Sequence, residues 1–343
     1  MRVDITLHPS WYRKYADVTF VRRFFDDPEY RMEADVAMRR TLYDHFGHLG
    51  FGERKPKKRP ILDSDLLAGE YIQSQILGCN ITFTEDNLPY VAPLNLSDAA
   101  AFGLQAPELD KSPVWRDYIH QAEYLMNKYG RFESYLDLHG VNNLAQDLRG
   151  SMLYEDFYLN EEIANNLLEV SRRVIEDVAT EICKFTNSIS IGVTSIVRQV
   201  DPKLYITSNC TVELISNDLY EHFLLPHDIK LARRFRPFGV HHCGASAEHV
   251  CSGYSKIAGI AFFEAGAGSD LAVVRSYFKN THINARYSPA GLKEQAPSEI
   301  TSNVLSMAAK ASPKELLSFS CVGIDPDTPD ENIEAFITAV QNL

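Results

Sequence analysis

In the segment Phe238-Gly239-Val240-His241-His242-Cys243-Gly244 an imidazole and a thiol stand two residues apart. Side chains alternate along a strand, so His241 and Cys243 would share one face while His242 points the other way. A nitrogen and a sulfur donor at that spacing suit a zinc ion that keeps a position open for substrate, above all at the carboxyl end of a parallel strand, where barrel enzymes assemble their sites. The competing reading is a buried cysteine beside core histidines. Glu264 closes the next apolar run, 257–263. Adjacent strands lie about 5 Å apart, so its carboxylate can reach a metal shared with His241 and Cys243. Its other role would be to cap a helix after Gly268. Asp137 and His139, also two apart, offer a proton-handling pair, and a satisfied structural histidine has the same spacing. Asn209, Cys210, Glu213, Arg286 and Ser288 stand at other expected strand ends and could line a pocket.

Positioning these residues requires strands that end together. Short apolar or β-branched runs closed by Gly, Asn, Asp or Pro predict strands at 75–83, 134–138, 189–195, 204–208, 238–242, 257–264, 282–285 and 317–324. Between them, helical periodicity marks 160–185, 217–235, 247–256, 271–279 and 297–311. Strands alternating with helices imply a parallel sheet. The number of units favours closure into a (β/α)8 TIM barrel, with a doubly wound open sheet as the alternative. From the turn Asp26-Asp27-Pro28 to Gly50 the pattern is helical, so 1–60 reads as a helical N-terminal extension of a single domain spanning 1–343. No repeat or long linker divides the chain.

The composition narrows the function. At 343 residues and 45% hydrophobic, the chain can bury a large core. A net charge of -12 argues against a nucleic-acid partner. The tract Arg54-Lys55-Pro56-Lys57-Lys58-Arg59 is broken by proline and reads as a solvated loop. With no long apolar run and no secretory h-region, the expectation is a cytoplasmic protein without a membrane segment, and its six cysteines read as thiols or ligands rather than disulfides. Gly266-Ala267-Gly268-Ser269-Asp270 lacks the third glycine of a dinucleotide loop. A homodimer is compatible with such a chain, whose sequence sets no oligomeric state.

Several blocks carry a family resemblance. Leu214-Ile215-Ser216, then Tyr220-Glu221-His222-Phe223-Leu224-Leu225-Pro226, then Gly239-Val240-His241-His242-Cys243-Gly244 resemble a run of motifs in the uroporphyrinogen-decarboxylase-like superfamily. So do Gly140-Val141-Asn142-Asn143-Leu144-Ala145 with Leu148-Arg149-Gly150, and the closing Gly323-Ile324-Asp325-Pro326-Asp327-Thr328-Pro329-Asp330-Glu331-Asn332-Ile333. The arginine-rich opening segment of true decarboxylases is missing, so the chain resembles the zinc-dependent, corrinoid-linked methyltransferase branch. That resemblance implies zinc on His241, Cys243 and a third ligand from a later strand. In thiol-methylating members the last cysteine immediately precedes the glycine of G-I-x-P. Here that position is Val322, and Cys321 stands one residue earlier. A one-residue slip reverses the face, so Cys321 serves only if a bulge re-aims it, and Glu264 is the preferred replacement. A carboxylate in place of a thiolate leaves zinc more electrophilic, which favours activating a methyl donor. The expectation is a methyltransferase that takes the methyl group of a small methylated substrate, an aryl methyl ether among the candidates, to cobalamin on a separate corrinoid protein. The alternatives are a methylcorrinoid:thiol methyltransferase, a uroporphyrinogen decarboxylase, and an inert barrel that binds a corrinoid protein.

Overall fold

Ten strands are present in the computed structural model, which describes residues 1–67, 69, 71–185 and 195–343: β1 Arg2–Leu7, β2 Ile61–Leu62, β3 Asn80–Thr82, β4 Tyr90–Ala92, β5 Glu133–Ser134, β6 Tyr205–Ser208, β7 Phe238–His242, β8 Ile260–Ala265, β9 His282–Tyr287 and β10 Leu317–Ile324. Six of them form one sheet in the order β1-β10-β9-β8-β7-β6, parallel at every pairing. Helices connect its neighbours, as parallel pairing demands, among them Leu225–Arg234 before β7, Leu271–Tyr277 before β9 and Pro297–Lys310 before β10. The strands β2 and β5 pair in parallel, and β3 and β4 form a short antiparallel ribbon. An isolated parallel bridge joins His139, beyond β5, to Ser208 at the end of β6.

The register sorts the large sheet into rows. Ile206, Gly239, Phe262 and His282 lie level on one face, and Ser208, His241, Glu264, Asn284 and Ser318 form the next row. Arg286, Ser320 and Asp4 follow. The first row is apolar: Phe262 packs with Ile206, Ile196, Val197 and Leu204 and stacks on His282 at 5.7 Å between ring centroids. Burying such a ring is worth about 1.5–3 kcal/mol. The second row is polar and closed to solvent. Ser318 bridges His282 and Asn284, and Asn284 donates to Ser320. The opposite face is the apolar one that the helices cover, with Phe263 against Tyr254 and Phe278, and Tyr287 against Phe336.

The sequence reading holds for the strands at 204–208, 238–242, 282–285 and 317–324 within a residue or two, and for 257–264 with a later start. Two departures have identifiable causes. Residues 75–83 are not one strand: helix Ile72–Ile76 ends there, Gly78 takes φ +96°, and only Asn80–Thr82 is extended. The segment 1–60 is not wholly helical, because Arg2–Leu7 pairs along β10 as a sheet edge. Its alternation of Val3, Ile5 and Leu7 with Asp4 and Thr6 carries a period of two, but the partner lies at the far end of the sequence. The predicted strand at 189–195 falls, except for Ser195, outside the described residues. In place of an eight-stranded barrel closed by one continuous ladder, the described residues show a six-stranded parallel sheet with the β2–β5 pair beside it.

Candidate metal centre

The carboxyl ends of β6, β7 and β8 bring the chemistry together. His241 is the fourth residue of β7, and Cys243 follows the strand on the same face. His242 turns to the opposite face, as the period of two requires, where its ring meets the Tyr254 hydroxyl and the Ser246 carbonyl oxygen, each at 3.1 Å. Cys210 arrives from the neighbouring strand. After β6 the chain bends at Asn209, whose backbone N–H still bonds the His241 carbonyl oxygen at 2.8 Å, and then enters the short turn Cys210–Leu214. Donor atoms of Cys210, His241 and Cys243 all lie within 4.8 Å of one another. Glycine permits the close approach of these strand ends: a Cβ on Gly266 would sit 1.7 Å from the carbonyl oxygen of Gly244.

Behind the cluster lies a carboxylate. Glu264, level with His241 in the register, places Oε2 3.1 Å from His241 Nδ1, with both side chains out of solvent. The Arg286 guanidinium is 3.6 Å from the other carboxylate oxygen. Burial disfavours charge on His241, but Glu264 and then Cys243 outweigh it and hold the imidazole pKa well above its ordinary value. Cys243 is held far below the usual thiol range, first by the hydrogen bond with Cys210 and then by His241 and Arg286, against the effect of burial. Glu264 would be raised by burial, yet His241 and Arg286 bring it below the ordinary carboxylate value. The group thus pairs a thiolate and a carboxylate with a protonated imidazole in a low-dielectric site.

The set fits a metal ion. Two sulfurs and one ring nitrogen are the donors that zinc prefers. Of the two ring nitrogens of His241, Nδ1 faces Glu264 Oε2 at 3.1 Å, which leaves Nε2 as the one a metal would take.

Of the other residues singled out in the sequence, Cys321 is not part of the group. It is level with Tyr287 and Ile5, one step beyond Ser320, which faces Asn284. The alternation therefore aims its sulfur into the helix-covered face, where burial pushes the thiol up to about 12. No bulge intervenes between Ser318 and Cys321, where the register to β9 is continuous. His139 stands beside the cluster through its bridge to Ser208. Its Nε2 lies 2.9 Å from Ser74 Oγ, and that hydroxyl donates to Asp147 at 2.6 Å. The serine hydrogen being committed to Asp147, His139 Nε2 is the donor in its contact with Ser74. Asp137 lines a cavity of about 30 Å³ with Asp63, Tyr71 and Tyr135. A larger cavity of about 710 Å³, between helices Pro28–Phe46, Ile72–Ile76 and Pro113–Tyr129, includes none of the site residues singled out in the sequence.

Cys210 is the member of the cluster that sequence reasoning placed only among pocket-lining residues. Its local signal was weak: an Asn-Cys pair closing the strand that precedes the H-x-C strand. Its aim depends on a bend that no periodicity reports.

Comparison with known proteins bears on this arrangement. The family described as uroporphyrinogen decarboxylase (URO-D) matches residues 163–343, a stretch that holds all three clustered residues. No curated protein sequence matches the chain. Among solved structures, a methyltransferase from Methanosarcina mazei superposes with a TM-score of 0.65 at 14% sequence identity, covering 100% of this chain and 93% of that one. Likeness at that identity concerns the fold. Among the described residues no helix is long and apolar enough to cross a membrane.

Proposed function

The chain belongs to the uroporphyrinogen decarboxylase family, and from that membership we propose that it is a zinc-dependent methyltransferase working with a corrinoid-carrying partner protein. The observation that carries this reading is the convergence of Cys210, His241 and Cys243 at the ends of neighbouring parallel strands. When bound there, zinc would supply Lewis acidity to a sulfur or oxygen atom of the substrate. The chain's own residues prepare the site. Arg286 and His241 favour the thiolate form of Cys243, Glu264 orients the His241 ring, and His139 with Asp137 would take up or return a proton beside the cluster.

Ligand chemistry selects the direction. A metal on two thiolates and an imidazole is more electron-rich than one on a thiolate, an imidazole and a carboxylate. The sulfur-rich set suits an acceptor thiol, held as its thiolate, that receives the methyl group of a methylcorrinoid. This reverses the weight given by the sequence, where Glu264 as third ligand favoured activation of a methyl donor. A second reading keeps that direction, because Glu264 lies 3.1 Å from His241 and could complete a His, Cys, Glu set. The chain would then move a methyl group from a small methylated compound, such as an aryl methyl ether, to corrinoid cobalt.

The same reading takes β2, β5 and the six-stranded sheet as staves of one (β/α)8 barrel spanning 1–343 in the cytoplasm, with the His139–Ser208 bridge as the seam. The test uses purified protein loaded with zinc. Free methylcobalamin plus a panel of small thiols should yield cob(I)alamin, and cob(I)alamin plus aryl methyl ethers should yield little methylcobalamin. Turnover of the ethers alone would move the conclusion to the second reading. Failure of the protein to hold zinc, or full activity in Cys210→Ala and His241→Ala, would overturn both.

A further inference from the structure

Cys210 is borne by a turn, and turns do not aim side chains as firmly as strands do. Both residues flanking it are tied down. On one side, Asn209 is buried and donates through Nδ2 to Asp228 Oδ2 at 2.8 Å, and the Tyr220 hydroxyl donates to the same oxygen at 2.7 Å. Asp228 is itself buried, and burial raises its carboxyl to about 6 against the two bonds that lower it. On the other side, Asn143 Oδ1 accepts two bonds from Thr211, from its backbone N–H at 3.0 Å and from its hydroxyl at 2.7 Å. The Thr211 hydroxyl in turn accepts from Asn142 Nδ2 at 2.7 Å, so its one hydrogen and one of its lone pairs are both engaged. The helix Val141–Arg149, whose first turn carries these asparagines, starts directly against the end of β6, since a Cβ at Gly140 would be 2.0 Å from the Ser208 carbonyl oxygen.

We infer that Asn143 with Thr211, and Asn209 with Asp228, are positioning residues that hold Cys210 against His241 and Cys243, so that the third metal ligand is pre-set by the segment after β5. This rests on the assignment of Cys210 as a ligand in the proposed function. The physical role is entropic and directional. With its neighbours fixed from opposite sides, residue 210 has lost its backbone freedom before any metal arrives, and the ordering cost of about 1–2 kcal/mol per residue is not charged to binding. The arrangement also explains why two asparagines follow Gly140: the first supplies an N–H to the Thr211 hydroxyl, the second an oxygen that holds both Thr211 groups.

Cobalt(II) binding to the metal-free protein tests this without any turnover, because thiolate-to-cobalt charge-transfer absorption reports the number of sulfur ligands. Asn143→Leu should bind cobalt about 10–100-fold more weakly, the usual loss when a ligand's supporting bond is removed. Its charge-transfer intensity should fall towards that of Cys210→Ala. Asn143→Asp keeps an oxygen to accept both bonds and should stay close to wild type. Circular dichroism and melting of the metal-free variants establish that they fold. If Asn143→Leu does not fold, Thr211→Val against Thr211→Ser makes the same comparison, with loss expected only for valine. Wild-type affinity and intensity in Asn143→Leu or Thr211→Val would overturn the inference. Unchanged absorption in Cys210→Ala would instead overturn the ligand assignment beneath it.

Discussion

Glu264 Oε2 lies 3.1 Å from His241 Nδ1 with neither side chain open to solvent. A buried carboxylate beside a metal-binding imidazole raises the basicity of the ring and fixes its orientation. Glu264→Gln should therefore weaken zinc about 10–100-fold while leaving one zinc per chain at saturation. Competition with a coloured chelator measures it. An unchanged affinity would remove Glu264 from the site. A loss as complete as that in Cys210→Ala or Cys243→Ala would make it a ligand and favour the methyl-donor reading.

Cys321 should prove irrelevant to the metal. Its sulfur points into the helix-covered face among Ile5, Tyr287 and Phe319. Cys321→Ala should retain full zinc and cost roughly 1–2 kcal/mol of stability through the small cavity it leaves. Cys321→Ser should cost more, about 1–3 kcal/mol, from an unpaired buried hydroxyl. Metal analysis beside urea unfolding separates the two effects. Zinc lost from Cys321→Ala with the fold intact would sink the assignment of Cys210 in its place.

These two cysteines show where sequence reasoning holds. His241 and Cys243 were legible because both lie on or just past one strand, where a period of two is local information, and the outward turn of His242 towards Tyr254 follows from the same rule. The face of Cys321 was legible too, since the expected slip is what the register shows. The place of Cys210 beside His241 and Cys243 was not legible, because it depends on the bend at Asn209 and on contacts of its flanking residues with Asn143 and Asp228 that are distant in sequence. The strand Arg2–Leu7 escaped for a similar reason: its partner β10 begins 310 residues after it ends, at Leu317. Nonlocal pairings of that kind leave no spacing to read.

His227 should make the metal-free protein acid-sensitive. Burial is the main cause that lowers its pKa to about 4, with Lys230 and Arg172 adding to it against Glu169. The unfolded chain takes up this proton near the ordinary value of 6.5, before the folded chain does. Stability is therefore fully present above about pH 6.5 and declines as the pH falls towards 4. The whole effect is on the order of 3 kcal/mol. Urea unfolding at pH 7 and pH 4.5 should show a smaller drop for His227→Gln than for wild type, and equal drops would exclude the histidine as the source.

Away from the site, Arg275 holds the amino ends of β9 and β10 together. Its side chain, 8% exposed, donates to four backbone carbonyls: Ala311 at 3.0 Å, Phe278 and Thr281 at 2.8 Å each, and Leu316 at 2.9 Å. These oxygens belong to the end of one connecting helix, the approach to β9 and the turn before β10. Arg275→Met keeps much of the bulk but strips the donors, leaving buried carbonyls unsatisfied at a cost of about 3–5 kcal/mol. Lysine would not repair this, because one ammonium cannot place donors at the spread positions a planar guanidinium reaches. Both variants should melt well below wild type, and any folded fraction should bind zinc with unchanged affinity, since the staple lies at the opposite ends of the strands from Cys210, His241 and Cys243. Wild-type stability in Arg275→Lys would show that charge alone suffices there, and a zinc affinity that fell in step with stability would show that the strand ends are not independent.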